Sequence, residues 1–465
     1  MMLQIQKKQK YNLLNSKSFF QKSLIATLAM GLFVVNGLSK DLSGNKNSSL
    51  LLKPLSELDD NEYDKFILGK SFFRIPWVEA PSATTARDGL GPLFNANTCA
   101  SCHPNNGRGN LYNKDGNFSR SLIPKLSLKN NDNKSSEFIE KIGLIPEPTY
   151  GNQISINGIH DVNFEAKANI TYTKIKVVFP DGDVDTLLKP HYALKDLQYG
   201  KLHKDTILSF RLAPSLNGIG LLEDISKEDI LKNVDQLDKD GDGISGKANY
   251  AYSPITKKVE LGRFSWKANI TSLKHQVADA ANNDMGLTTI YYPDDTCTSK
   301  QVQCKKANKP RDPFDITEER LNAITFYVKN RKTYMAKKTK KYKEGLKIFK
   351  QIGCNKCHID SFKTNSGIEI APFTDLLLHD MGEGLADGRS EFKAEANEWR
   401  TPALWGLALH EKINGKKPRL LHDGRARSFQ EAILWHGGEA NKIKEAYMNL
   451  EKEEREKLLK FLEEV

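Results

Sequence analysis

Cysteine and histidine are both scarce in this chain, at 6 and 10 of 465 residues. That scarcity excludes chance as the source of any Cys/His pattern that occurs twice. Long apolar runs are missing too. The N-terminal run "LIATLAMGLFVV" (Leu24 to Val35) has 12 residues, too short to span a bilayer comfortably. There is no strong short-period repeat, and the first 39 residues contain no acid. Lys7, Lys8, Lys10, Lys17 and Lys22 precede the apolar run, and Gly37 and Ser39 follow it, so 1–39 reads as an export signal cleaved near Ser39. An uncleaved membrane anchor is the alternative. The formal charge of +11 invites a nucleic-acid reading, but losing the signal lysines leaves about +6, too little excess to carry one. Basic residues concentrate only in "KNRKTYMAKKTKKYK" (Lys329 to Lys343), which reads as a solvated face or as a docking patch for an acidic redox partner.

What is present is a repeated motif. Residues 97–109 read "NTCASCHPNNGRG" and 353–360 read "GCNKCHID", giving Cys99, Cys102 and His103, then Cys354, Cys357 and His358. CxxC alone serves zinc sites and redox disulfides, but an adjacent His marks covalent c-type haem attachment. There the thiols add to the haem vinyl groups and the His ligates iron. The competing zinc reading needs a site split over some 250 residues. An exported chain agrees with c-type maturation, which in bacteria happens outside the inner membrane. Four propionates would also remove up to about four more positive charges. Cys297 and Cys304, in "DDTCTSKQVQC", are a local pair expected to close a disulfide in the periplasm.

The expected organisation is a signal (1–39), a polar linker (40–53), a first haem domain (54–310) and a second (311–465). Phe94 and Phe349 each stand five residues ahead of the first Cys of a motif. "LEKEEREKLLKFLEEV" (Leu450 to Val465) has helical spacing, and Gly345 and Phe349 are expected to meet Leu458 and Phe461. Pro310 and Pro313 break the chain before a helix starting at Thr317. The expected fold class is mainly α, two cytochrome c-like haem domains of which the first carries β-hairpin and loop insertions. The hairpin is read in Asn169 to Lys189 about Asp181-Gly182. "DKDGDGISG" places Asp238, Asp240 and Asp242 as calcium loops do. Ile244 comes one place early and Asn249 stands where a bidentate Glu belongs, so an acidic solvent loop is the alternative.

"HDMGEGLADG" (His379 to Gly388), "EWRTPALWGLAL" (Glu398 to Leu409) and "LHDGRARSFQEAILWHGG" (Leu421 to Gly438) resemble the di-haem cytochrome c peroxidase superfamily, within it the di-haem oxidoreductase or thiol oxidoreductase branch. The resemblance covers nearly all the mature chain. "RFSWKANITSLKHQVADAANNDMG" (Arg263 to Gly286) resembles the family's stretch ending in Gln and Glu-Met, though its D-G-R triplet is absent and the acid is Asp. It implies Asp284 as the acid/base for peroxide, Gln276 as a hydrogen-bond donor, and Trp266 as the aromatic between the haems.

The resemblance also places a Met or Tyr ligand fourteen residues after the H-D-G histidine; here that position is His436, so a His358/His436 iron is expected. Met381 is the rival ligand. His379, His410 and His422 read as supporting groups. No His occurs between His103 and His160, so the first iron is expected to be open. His160, His191 and His203 read as surface residues. An open iron can bind peroxide and a closed one shuttles electrons. Three functions stay open: a periplasmic peroxidase-type oxidoreductase passing electrons from the second haem to the first, a di-haem electron carrier, and a ligand sensor. The expected partners are a small electron-donor protein or quinol-linked cytochrome and peroxide or another small oxidant. No nucleic acid is expected, and the membrane only through an uncleaved signal.

Overall fold

The computed structural model describes residues 50–55, 58–129, 137–407 and 409–465. The expected signal and most of the linker lie outside them. The first long helix, α1 (Asp60–Arg74), starts at a capping box in which Asp59 accepts from the Glu62 amide at 2.8 Å and Glu62 reaches back to the Asp59 amide. It stops at Ile75, which Pro76 holds in extended backbone. The short helix α2 (Cys99–Cys102) carries the first thiols. Antiparallel pairs follow: β1 (Leu122–Leu128) with the later β4 (Thr206–Leu212), the long hairpin β2 (Lys167–Val178) and β3 (Val184–Lys195), then β5 (Tyr250–Ser253) with β6 (Lys258–Leu261). The helices α3 (Leu273–Met285), α4 (Glu318–Lys329) and α5 (Lys340–Gln351) come next. Two short strands, β7 (Leu378–Asp380) and β8 (Glu398–Arg400), pair before α6 (Phe429–Leu434) and the closing α7 (Lys452–Leu462).

The expectation of a mainly α fold is wrong. Helices hold 29% of the chain and strands 20%, the strands of the described residues lying in six two-stranded sheets. The cause lies between the first motif and Trp266. The sequence reading found the hairpin there, centred on Asp181-Gly182 as expected, but β1 and β4 pair across 77 intervening residues, a separation that no local pattern announces. Their residues are buried on both faces, so the alternation that marks a half-buried strand is absent.

Two helix crossings organise the core. At α1 on α4, a Cβ on Gly69 would lie 1.9 Å from the Ala323 carbonyl oxygen. Phe66 and Phe73 pack their rings 5.0 and 5.3 Å from Tyr327. At α5 on α7, a Cβ on Gly345 would lie 2.3 Å from Phe461 Cβ, and Phe349 sits 5.3 Å from the Phe461 ring, as expected. Both pairs need a glycine where the backbones touch. α4 lies beyond residue 310 yet packs on α1. The largest apolar cluster likewise joins Leu221, Phe264 and Trp266 to Phe349, Trp399 and Phe461. Arg455 of α7 clasps the hairpin tip through Asp181 and Asp183 at 2.6 and 2.9 Å.

Gly345→Ala should force α5 and α7 apart and destabilise the protein by about 1–3 kcal/mol, the usual cost of overpacking. Urea unfolding reads this as a lower midpoint at constant slope; an unchanged midpoint would contradict so close a crossing.

Candidate haem-binding cavity

Each CxxCH histidine is positioned by its backbone surroundings. Thr98 caps α2, accepting from the Ser101 amide at 3.0 Å, and His103 ends that helix. His103 Nδ1 then donates to the Pro214 carbonyl at 2.9 Å, just beyond β4. In the second motif Gly353, in the left-handed region at φ 94°, turns the chain out of α5. His358 Nδ1 donates to the Phe373 carbonyl at 2.9 Å. Facing a carbonyl, Nδ1 must carry the proton, which leaves each Nε2 with a free lone pair. Burial lowers both imidazoles to about 4, so both are neutral and fit to bind a metal.

Both motifs open on one cavity of about 820 Å³, lined by Cys99, Cys102, His103, Cys354, Cys357 and His358 among others. Its chemistry fits haem. Much of the lining is apolar, with Leu212, Phe264, Ile324, Phe349 and Leu458 in the wall. Among the polar exceptions are cations and unpaired nitrogens that an anionic ligand would meet. Arg108 and Arg400 line the cavity but donate to backbone carbonyls, those of Arg419 and Leu421 for Arg108 and of Ser265 and Thr401 for Arg400. Burial lowers both guanidinium groups to about 10. Arg211 is bound to Asp387 and Glu391 through its terminal nitrogens, but its Nε, like Trp405 Nε1 and His422 Nε2 of the lining, is buried without a hydrogen-bond partner. Propionate carboxylates are anions of the kind that would offset this cost.

Around the first motif, α3 directs Gln276, Asp279, Asn283 and Asp284 into the cavity. The Asn95 and Ala96 amides donate to the Asp284 carbonyl at 2.8 and 3.2 Å, tying the helix end to the segment before Cys99. The Asp284 carboxylate accepts from Gln153 Nε2 at 2.8 Å. Burial raises its pKa, while Lys125 and this hydrogen bond pull it down. Asp279 is raised to about 6, again chiefly by burial. His275 was missed by the sequence reading, although it is buried and lines the cavity. Its Nδ1 lies 3.3 Å from the Thr271 amide and its Nε2 3.1 Å from the Tyr292 hydroxyl, so both nitrogens are engaged. His160 is exposed, and His191 bonds Thr173 on an exposed face, as expected.

Around the second motif, His436 follows α6 and repeats the motif histidines' arrangement. Its Nδ1 donates to the Ala432 carbonyl at 2.7 Å, it is half-buried as they are, and it lines the cavity. It lies close enough to His358 to help lower that imidazole's pKa. Met381, just past β7, also lines the cavity. Trp266 is buried against both parts: its indole donates to the Leu212 carbonyl at 3.0 Å, Arg108 lies 5.3 Å from its ring, and its carbonyl accepts from the Arg400 amide.

The supporting histidines differ. His379 is held between Asp375 and Glu439, each at 2.7 Å. Burial opposes its charge, but Asp375 and Cys357 outweigh that and raise its pKa well above the ordinary value. His422 stacks on Trp399 at 3.8 Å, and burial lowers it to about 3. In the acidic loop, oxygens of Asp235, Asp238 and Asp240 lie within 4.8 Å of one another. Asp242 of the expected set is instead paired with Lys356 at 2.8 Å.

Cys297 and Cys304 are bonded as a disulfide, and the four motif cysteines are free thiols. Burial pushes the Cys99 and Cys354 thiols up to about 12, far from the reactive thiolate. Before haem is attached, iodoacetamide at pH 8 should therefore label the motif cysteines far more slowly in the folded chain than in the denatured one. Denaturation should expose the four motif thiols, and denaturation with reduction all 6. Mass spectrometry counts the labels; rapid labelling of the native chain would contradict the enclosed placement.

No curated protein matches the sequence. Among solved structures, a hydrazine synthase from Kuenenia stuttgartiensis, determined under 20 bar of xenon, matches 55% of this chain and 73% of its own at 14% identity and a TM-score of 0.31. So remote a likeness carries no argument. The family described as "Di-haem oxidoreductase, putative peroxidase" matches residues 42–465. With two CxxCH motifs opening on one cavity, the chain belongs to the di-haem oxidoreductase family.

Proposed function

We propose that the chain is a periplasmic di-haem c-type oxidoreductase of peroxidase type. Cys99 with Cys102, and Cys354 with Cys357, are the thioether attachment points, and His103 and His358 are the proximal ligands. Haem iron, when bound, supplies one-electron redox chemistry and a coordination position for a small oxidant. The observation that carries the reading is the contrast across one cavity. A carboxylate held by the Gln153 amide, Asp284, stands by the first motif, whereas an imidazole with a free Nε2, His436, stands by the second.

His436 would hold the far side of the second haem, with Met381 as the rival, and electrons would enter there from a small donor protein or a quinol-linked cytochrome. Trp266 would lie on their route to the first site, since its ring and backbone touch groups of both motifs' surroundings. Two electrons and two protons turn peroxide into two waters. Asp284 would take a proton from one peroxide oxygen and return it to the other, which leaves as water, and Gln276 would donate a hydrogen bond to that leaving oxygen. The Cys297–Cys304 disulfide supports an oxidising compartment. Asp235, Asp238 and Asp240 form an oxygen set suited to calcium.

The mature protein should carry two covalent haems by mass spectrometry. Asp284→Asn should keep both and slow the peroxide step by roughly 10² to 10⁴, the range for losing a general acid/base, in stopped-flow mixing of half-reduced protein with peroxide. Wild-type rates in the variant would remove Asp284 from the mechanism. A wild-type protein inert to peroxide, with both irons low-spin, would instead make this an electron carrier. His436→Met should leave haem attached and raise the second potential, because a thioether favours ferrous iron over imidazole. An unchanged potential and spectrum would point to Met381.

A further inference from the structure

We propose that Lys125 and Gln153 are positioning residues that aim and hold the Asp284 carboxylate at the first CxxCH site. This rests on the peroxide chemistry proposed above for Asp284. The two residues come from a region that the family-like stretches do not include. They meet because β1 pairs with the segment around Ile154: the Leu126 amide donates to the Asn152 carbonyl and the Ile154 amide to the Pro124 carbonyl, both at 2.9 Å. Lys125 and Gln153 are therefore directly opposite, their side chains on one face. That face lines the cavity.

The Gln153 amide has one orientation open to it. Its Oε1 accepts from Lys125 Nζ. Its Nε2 donates one hydrogen to the Asn283 carbonyl and the other to Asp284 Oδ1, both at 2.8 Å. Both donors and the carbonyl are thus used. A flipped amide would set its NH₂ against the ammonium and its oxygen against two acceptors, losing all three bonds. Lys125 therefore fixes Gln153, and Gln153 fixes Asp284.

Lys125 also supplies a positive charge beside the acid, lowering the proton affinity of both Asp284 and Asp279. The other charged or titratable groups around them are Arg389 and Glu391 from the loop after β7 and Tyr292 from beyond α3. Cys99 and Cys102 also face Asp284 but carry no charge once joined to haem.

Cyanide binding to the oxidised holoprotein tests this without turnover. Hydrogen cyanide must give its proton to a base before cyanide binds, and the optical spectrum follows the rate against pH. Wild-type protein should show an acid limb set by Asp284. Lys125→Met removes the cation, so Asp284 keeps its proton to higher pH and the limb should move up by about one pH unit. On the acid side the rate then falls roughly tenfold. Lys125→Arg should restore the wild-type limb. Gln153→Met should move the limb upward as well and lower the plateau rate, and it carries the test if Lys125→Met fails to hold haem. A wild-type limb and plateau in both Met variants would overturn the assignment. Wild-type protein that takes no cyanide at all would overturn the proposed function beneath it.

Discussion

Both motif histidines turn Nδ1 to a backbone carbonyl at 2.9 Å, His103 to Pro214 and His358 to Phe373. That single hydrogen bond decides the tautomer and the ring orientation, while burial keeps the ring neutral. It also sets a demand on the rest of the chain, because each carbonyl is delivered by a segment outside its motif. For His103 the carbonyl comes 111 residues later, at the end of the β1–β4 pair. The inserted strands thus help to place the carbonyl that fixes the first histidine's tautomer. A neutral imidazole without this bond could rotate or exchange its proton to Nε2, and the motif would lose its metal-binding form.

The helix crossings hold that geometry in place. Gly69 and Gly345 let α1 meet α4 and α5 meet α7 at backbone contact, and the rings of Tyr327 and Phe461 seal the two seams. Phe349 sits in the second seam and also lies 6.2 Å from the His358 ring. The crossing and the histidine are consequently one packed unit, and a shift in the first is felt at the second. The apolar cluster that includes Phe349 also contains Trp266 and Trp399. The surroundings of the two motifs therefore share a core.

What the sequence disclosed was local or carried by a motif. The CxxCH pair, the disulfide between Cys297 and Cys304, the hairpin and the α5–α7 contact all depend on spacings of a few residues or on the period of one helix. That His436 would stand near the second motif was implied by the resemblance, through its distance from His422. Lys125, Gln153 and His275 were not legible. The first two become neighbours only through strand pairing across 28 residues, and nothing in "PKLSL" or "GNQIS" announces that partner. His275 lies inside a stretch that was read for its Trp, Gln and Asp, and its place depends on Tyr292 and Thr271. The mainly α expectation failed for the same reason: doubly buried strands carry no alternation to read. Asp235 displaced Asp242 from the acidic cluster because Lys356, a residue of the second motif, takes the Asp242 carboxylate.

The difference between the two ends of the cavity follows from what each neighbouring helix offers. α6 leads into His436 and gives its imidazole a carbonyl partner within the same turn, Ala432, so Nε2 is left for a metal. α3 offers carboxylates, and a carboxylate in a buried wall holds its charge only where donors face it. Those donors are Gln153 and, through it, Lys125. Each end thus carries a motif imidazole with a free Nε2; the second adds another imidazole in the same arrangement, and the first an acid whose proton affinity is lowered by a fixed amide and a nearby cation. The additional imidazole and the carboxylate are set by different helices, α6 and α3, while both line one cavity.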